Sequence, residues 1–288
     1  MEYKKPIVVA EIGCNHMGNL DIAIELIQIA KESGADYAKF QKRNNKELLS
    51  ESQYNAPHPN PINSYGDTYG EHREKLEFDI TTHKKLKDCC EKNKIGYATS
   101  VWDMTSASEV STLNPDYIKI PSALNNNLKL LEYLIDNYKG MIHISSGMTY
   151  KEEILKIYSL FESKKSLSRL VVYSCTSGYP VPPEDICLLE LNKLKEIFGL
   201  KINEYGFSGH HNGLAIDIAA YTLGAVWIER HFTKDRTWKG TDHAASLEPR
   251  GLYKLVRDLN NSYKALTYKG SEILDIEKPQ RDKLKFNG

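Results

Sequence analysis

Two lysines, Lys39 and Lys119, stand inside short runs that are otherwise apolar or aromatic, ADYAKFQ and DYIKIP. An ammonium buried in such a run is costly without a partner. A bound carboxylate or phosphate supplies one; an internal ion pair with Glu11 or Glu229 is the alternative, so residue type alone leaves both open. Two histidines, His210 and His231, close further runs of the same kind, YGFSGH and VWIERH. Imidazoles brought to one place reach a divalent ion, with carboxylates and water in the remaining positions. A lone histidine is more often a satisfied core residue, and the pair His210 and His211 is ambiguous in itself. Asp242, in the segment KGTDHAASLEP, is a third candidate for the metal's surroundings.

These residues need elements that bring them together. Short β-rich runs alternate with longer amphipathic stretches along the whole chain. The strand candidates are PIVVAEIG, ADYAKFQ, GYATSV, DYIKIP, MIHISS, LVVYSC, YGFSG and VWIERHF, and helices are expected to begin near Asp21, Thr81, Thr105, Asn127, Lys151, Glu184, Gly213 and Glu248. Eight strand-helix units over residues 1–268 match the roughly 250 residues of an eightfold barrel. The expected fold is therefore α/β, a (β/α)8 TIM barrel. An open doubly wound sheet wants a glycine-rich phosphate turn after its first strand, and GCNHMGN is a weak match to one.

In such barrels the chemistry sits at the C-terminal ends of the strands, and polar residues collect there. Glu11 ends the first strand, Lys39 and Gln41 the second, Thr99 and Ser100 the third, Lys119 and Ser122 the fourth, Ser145 and Ser146 the fifth. Tyr179 follows the sixth, Ser208 and His210 belong to the seventh, and His231 ends the eighth. Residues two apart share a face of a strand, so Tyr37, Lys39 and Gln41 point one way, as do Trp227, Glu229 and His231.

One connection breaks the regular spacing: residues 42–78, with the polar, proline-rich NAPHPNPINSYGDTYGEHR, form a loop whose length marks it as functional or disordered. Residues 269–288 read as a polar tail that packs loosely or extends from the barrel. The chain carries 38 basic and 38 acidic residues, which excludes a global basic field for nucleic acid. No apolar run reaches transmembrane length, and the start, MEYKKPIVVAEIG, has no signal-peptide core, so a cytoplasmic protein is expected. The five cysteines, 14, 89, 90, 175 and 187, lack zinc or disulfide spacing and are expected as reduced thiols, Cys175 acting as a small hydrophobe.

The motifs AEIGCNHMGN, GADYAKFQK, DTYGEHREKLEF, SSGM, CTSGYPVPPED, GFSGHH and WIERHFTKDRTWKGTDHAASLEP, in that order, resemble the sialic acid (N-acetylneuraminate) synthase family over most of residues 7 to 250. The resemblance covers the catalytic barrel only, without the C-terminal antifreeze-like domain whose arginine reaches the sugar in the partner subunit of relatives. It implies a barrel that condenses phosphoenolpyruvate with an aldose, N-acetylmannosamine-like and with or without a phosphate, using Mn2+ or Mg2+. It also implies a homodimer. Carried onto this chain, His210 and His231 hold the metal, and Lys39, Thr99, Lys119, Ser122, Ser145, Tyr179 and Ser208 surround phosphoenolpyruvate. Glu11 and Asp242 fall near the sugar and the metal, so that Glu11, Lys39, Lys119 and Asp242 form the catalytic set. Gln41, Ser146 and Ser177 join the substrate contacts.

One departure concerns position 124. Where relatives read Lys-Ile/Val-Gly-Ser-Gly followed by an acidic residue, this chain reads Lys119-Ile-Pro-Ser-Ala-Leu124. With no acidic residue there and no second domain over the mouth, contacts to the distal part of the sugar fall to the 42–78 loop. Its Tyr69, His72 and Arg73 are the groups able to bind hydroxyls or a terminal phosphate. Synthesis of another 3-deoxy-ulosonic acid, an inactive sugar-binding relative, and a metal-dependent barrel hydrolase or lyase are the competing readings; the last of these would not need Lys39 and Lys119.

Overall fold

The computed structural model describes residues 3–286; residues 1, 2, 287 and 288, at the outer ends of the expected 1–268 domain and 269–288 tail, lie outside the described residues. Eight parallel strands close into a barrel in sequence order: β1 (Ile7–Gly13), β2 (Tyr37–Lys42), β3 (Gly96–Val101), β4 (Tyr117–Ile120), β5 (Met141–Ser145), β6 (Leu170–Cys175), β7 (Glu204–Gly209) and β8 (Trp227–His231). All eight expected strands are present. Strands buried on both faces read as near-continuous apolar runs, which is why β1 is buried from Val8 through Gly13.

The helices pack outside the strands by one-sided burial. In Leu20–Glu32, Ala23, Leu26, Ile27 and Ala30 are buried, the spacing of a single helical face. Asn19 caps this helix by accepting from the amides of Asp21 and Ile22, and its loss to alanine would cost about 1 kcal/mol. Leu26 and Phe40, both fully buried in the shell between strands and helices, each contribute roughly 1.5–3 kcal/mol. A second, smaller core fills the barrel interior: Val9, Ala98, Tyr117, Val171, Tyr173 and Trp227. His143 stacks on Tyr117 there, ring centroids 3.7 Å apart. This plug forms the floor on which the charged residues stand.

Two expectations change, and the tail gains detail. The helix expected near Glu184 is a 3-10 turn, Pro183–Asp185, and the α-helix begins at Glu190; Cys187, held at φ 51°, interrupts the run between them. The 42–78 connection is not an irregular loop but contains the helices Asn45–Leu48, Glu51–Tyr54 and Tyr69–Leu76 and the 3-10 turn Pro61–Asn63. Capping boxes at Ser50/Gln53 and Thr68/Glu71 start two of these helices. The tail carries a 3-10 turn, Asp275–Glu277, and a helix, Lys278–Leu284. No helix of the described residues is long and apolar enough to cross a membrane, and the five cysteines are free.

Candidate active site

A cavity of about 270 Å³ opens at the C-terminal ends of the strands. Its floor is set by register: Glu11 on β1 lies beside Lys39 on β2 and beside His231 on β8, Ser100 beside Lys119, and Ser208 beside Glu229. Lys39 pairs with Glu11, and its Nζ also donates to Ser100 Oγ at 3.0 Å and lies 3.7 Å from Glu229 Oε2. Lys119 Nζ lies 2.6 Å from Glu229 Oε1 and 4.2 Å from the centre of the Tyr173 ring. Each lysine is 2 % exposed. The internal ion pairs weighed from the sequence have therefore formed, and in a chamber open to solvent above them.

Burial and the neighbouring charges shift Lys39, Lys119 and Glu229 in different directions. Burial pulls both ammonium groups down; at Lys39 the carboxylates of Glu11 and Glu229 outweigh burial and hold its pKa above the ordinary value. At Lys119 burial wins over Glu229, the Lys39 charge adds repulsion, and the pKa falls. Burial pushes the Glu229 carboxyl up, but the Lys119 and Lys39 charges overcome it and hold the group well below the carboxylate range. Glu229 and Ser100 are site residues absent from the set expected from the sequence. The signal for Glu229 was present in the alternation of Trp227, Glu229 and His231 along β8.

A polar arc rises on one side of this floor. Ser122 and Ser177 hydroxyls lie 2.9 Å apart, and Ser145 and Ser208 complete the wall, Ser208 donating to Glu229 Oε1 at 3.0 Å. Gly147 leaves room for this pair, because a Cβ would come within 2.4 Å of Ser177 Oγ and force that hydroxyl to turn away. Gln41, which donates to Glu11 Oε1 at 2.8 Å, and Tyr179 also line the cavity. Two of the contacts expected at the strand ends do not. Thr99 is off by one residue: Ala98 joins the inner core and Ser100 faces the cavity, so Thr99 points outward with Tyr97. Ser146 turns its hydroxyl to the Tyr173 carbonyl, 2.9 Å, and lines a neighbouring cavity instead. Leu124 packs against the outer core, and Ala123 takes the place beside the cavity. Burial pushes the Cys175 thiol up to about 11, so it stays protonated in the wall.

His210 and His231 lie side by side in the cavity wall with ring centroids 5.4 Å apart, and Tyr179 packs tilted against His210 with ring centroids 4.3 Å apart. The ambiguous pair resolves: His211 turns outward to Arg230 and Asp217, a buried cluster with Arg230 Nη1 2.6 Å from Asp217 Oδ2, while His210 turns inward. His210 Nδ1 bonds the Thr176 carbonyl at 2.9 Å, which leaves Nε2 as the free nitrogen; His231 Nδ1 is buried without a hydrogen-bond partner and lies 3.7 Å from Asp242 Oδ2. Among the described residues no three of His, Cys, Asp and Glu lie close enough together to hold a metal ion by themselves. The arrangement fits an open site, two imidazoles with a carboxylate beside them, rather than a structural one.

The 42–78 segment clasps the connection that carries Asp242. Tyr65 OH donates to the Lys239 carbonyl, Lys239 Nζ lies 4.9 Å from the Tyr65 ring centre, and the Gly240 amide donates to Asn63 Oδ1 at 3.3 Å. Of the expected sugar contacts in this segment, His72 is used up inside it: its Nδ1 accepts from the Tyr65 amide at 3.1 Å and its ring stacks with Tyr65 and Tyr69. Burial, with the His58 charge, lowers the His72 pKa to about 4. Tyr69 OH accepts from Arg73 Nη1 at 3.3 Å. Neither Tyr69 nor Arg73 lines the cavity, but Trp102, against which Arg73 lies, does.

A floor of buried charges, a serine arc and two facing imidazoles at the mouth of a closed barrel invite comparison with known proteins. N-acetylneuraminate-9-phosphate synthase of Homo sapiens is 38% identical over 283 residues, 96% of this chain and 76% of the human protein. N,N'-diacetyllegionaminic acid synthase of Campylobacter jejuni is 34% identical over 264 residues, 91% of this chain and 78% of that protein. The crystal structure of N-acetylneuraminic acid (sialic acid) synthetase from Leptospira borgpetersenii in complex with citrate superposes with a TM-score of 0.81 at 28% identity, covering 98% of this chain and 93% of that one. The NeuB family model matches residues 26–271. With that match over most of the barrel, the chain belongs to the NeuB family, the sialic acid synthases.

Proposed function

We propose that this protein condenses phosphoenolpyruvate with an N-acylated amino-aldose to give a 3-deoxy-2-ulosonic acid and phosphate. The observation that carries the reading is the pair of lysines, each 2 % exposed, on the floor of an open cavity and facing a serine arc. Ammonium groups and fixed hydroxyl donors, shielded from bulk water, suit a ligand with a carboxylate at one end and a phosphate at the other. Curated relatives named as N-acetylneuraminate-9-phosphate, N,N'-diacetyllegionaminic acid and pseudaminic acid synthases support the acceptor class.

In this reading Lys39 and Lys119 bind the donor's negative charge, and Ser122, Ser145, Ser177 and Ser208 donate to its phosphate. Carbon 3 of phosphoenolpyruvate attacks the open-chain aldehyde carbon, whose oxygen takes a proton. Water adds at carbon 2 and loses a proton, and phosphate then leaves with cleavage of its bond to carbon. Glu11 and Asp242 are the carboxylates available to hold the two protons in transit. Glu229 keeps both lysines charged and oriented between turnovers.

The four floor charges cancel, so an anionic donor adds uncompensated negative charge beside His210 and His231. These two residues would hold a divalent cation, Mn2+ or Mg2+, with Asp242 beside it; when bound, the ion polarises the aldehyde as a Lewis acid. A homodimer and a cytoplasmic setting complete the proposal. The test is phosphate release from phosphoenolpyruvate in the presence of a divalent cation, with and without a panel of N-acylated amino-aldoses. Aldose-dependent release supports the reading; release that ignores the aldose, or none with any aldose, overturns it.

A further inference from the structure

The condensation uses neither Asn15 of the segment AEIGCNHMGN nor Ser246 of the segment HAASLEP. The two residues are 231 apart in sequence, yet they meet next to the end of β8, Asn15 1 % and Ser246 3 % exposed. Asn15 stands in the turn between β1 and the helix Leu20–Glu32. Its Nδ2 donates twice, to the Phe232 carbonyl at 2.9 Å and to Ser246 Oγ at 2.9 Å. Ser246 Oγ in turn donates to the Asp242 carbonyl at 2.7 Å. The direction of this relay is fixed at both ends, because a carbonyl oxygen only accepts. The carboxamide must present its two hydrogens, and the hydroxyl must turn its proton to Asp242. One NH2 group thereby ties the residue after His231 to the backbone of Asp242.

The tie matters because of where Asp242 stands. The connection after β8 runs over the surface, with Arg236, Thr237, Lys239 and Thr241 exposed. Segments of that kind are more mobile than the strands they join. The Asp242 carboxylate nevertheless lies 3.7 Å from the His231 imidazole, Oδ2 to Nδ1. Two other ties hold the neighbours of Asp242: the Leu247 amide donates to the His231 carbonyl at 2.7 Å, and Thr233 Oγ1 lies 2.8 Å from His243 Nδ1. The relay ends on Asp242 itself. It also brings in β1, whose Glu11 carbonyl accepts from the Phe232 amide at 2.8 Å. Because its members are buried, removing one strands a polar group of the next without water to replace it.

We propose that Asn15 and Ser246 are positioning residues, whose relay sets the spacing between the Asp242 carboxylate and His231 and with it the site's hold on a divalent cation. The proposal rests on the reading of that site as one that binds a cation for the condensation, and deepens it. Neither residue would touch the ion or the substrates. Groups that orient metal ligands from behind are worth roughly ten- to a hundredfold in metal affinity.

Titration calorimetry with Mn2+ reads the relay without turnover, on the wild type, Ser246→Ala, Asn15→Asp, Asp242→Asn and the double variant Ser246→Ala/Asp242→Asn. Ser246→Ala should weaken Mn2+ binding by about tenfold. Asn15→Asp should weaken it at least as much, since a carboxylate of the same shape cannot donate to Phe232 or to Ser246. The double variant should bind no more weakly than Asp242→Asn alone, because the relay acts through that carboxylate. In turnover, Ser246→Ala should lower kcat and leave the KM for phosphoenolpyruvate, held by the floor lysines, within about twofold of the wild type.

Unchanged Mn2+ affinity in Ser246→Ala overturns the proposal, as does a wild type that binds no Mn2+. A further loss in the double variant, or a rise in the KM for phosphoenolpyruvate that matches the fall in kcat, overturns it as well, since either would mark general loosening of the barrel end. Should Asn15→Asp fail to fold, Ser246→Ala, which removes a single oxygen, decides. If no aldose supports turnover, the condensation reading falls, and the Mn2+ titration by itself upholds or overturns the relay.

Discussion

Lys119 and Glu229, 110 residues apart in sequence, meet at 2.6 Å on the barrel floor with both side chains buried. Glu229 also reaches Lys39, at 3.7 Å, so one carboxylate serves two ammonium groups. Its removal leaves Lys119 without a counter-ion. Glu229→Ala is expected to lower unfolding stability by about 3–5 kcal/mol in urea titrations, the range for breaking a buried pair. Saturating phosphoenolpyruvate should raise the melting temperature of the variant more than that of the wild type, because the ligand replaces the lost charge. A stability loss below about 1 kcal/mol would show that the lysines do not depend on Glu229.

Lys119→Met keeps the apolar stem and removes the charge. The expected result is a rise in the KM for phosphoenolpyruvate of about tenfold or more, as for loss of a charge-assisted contact, with a smaller change in the KM for the aldose. Steady-state kinetics with each substrate varied in turn decides it. Equal losses for both substrates would make Lys119 a structural partner of Glu229.

His231→Ala removes one of two imidazoles from a site that has few protein ligands. Activity should fall on the order of a hundredfold or more, since a cation held by the remaining imidazole is readily lost. Wild-type activity should vanish in excess chelator and return with Mn2+ or Mg2+. Full activity in chelator would contradict the metal assignment.

Acid should destabilise the fold before the carboxylates titrate. Burial lowers the pKa of His16 to about 3, with the His83 charge adding to it, and burial lowers that of His83 to about 3, with Lys42 adding. Below pH 6.5 the unfolded chain protonates these rings and the folded chain does not, so the unfolded state binds more protons and stability falls with pH. The contribution is fully present above pH 6.5 and is lost toward the folded pKa, at about 1.4 kcal/mol per pH unit for each ring. Urea midpoints at pH 7, 6 and 5 measure the slope, and His83→Gln should make it shallower. A flat midpoint across that window would mean that both rings take up protons in the folded state.

The barrel was readable because its strands are buried on both faces, so PIVVAEIG or LVVYSC announces itself as a β-branched run between helical faces. The inward set was readable wherever alternation was anchored by a charged residue, as at Lys39 with Gln41. It failed at Thr99, where Thr and Ser adjoin and a shift of one residue exchanges the faces. Glu229 was visible beside His231, but its role depends on β4 and β8 meeting across the barrel, which no local pattern encodes. The helices within 42–78 hid because two of them are only four residues long; the capping boxes at Ser50 and Thr68 were their one local sign. Arg73 was readable as a charge in that segment, whereas its pairing with Trp102 comes from a loop on another strand.

In the proposed condensation, carbon 3 of phosphoenolpyruvate becomes bonded to an aldose carbon while phosphate departs. The most direct measurement uses phosphoenolpyruvate whose bridging oxygen carries heavy oxygen, with N-acetylmannosamine or its 6-phosphate and a divalent cation, and follows both products by mass spectrometry. One 3-deoxy-2-ulosonic acid is expected for each phosphate released, with the heavy oxygen in the phosphate. Phosphate released without the sugar acid, or heavy oxygen retained in the carbon product, would contradict it.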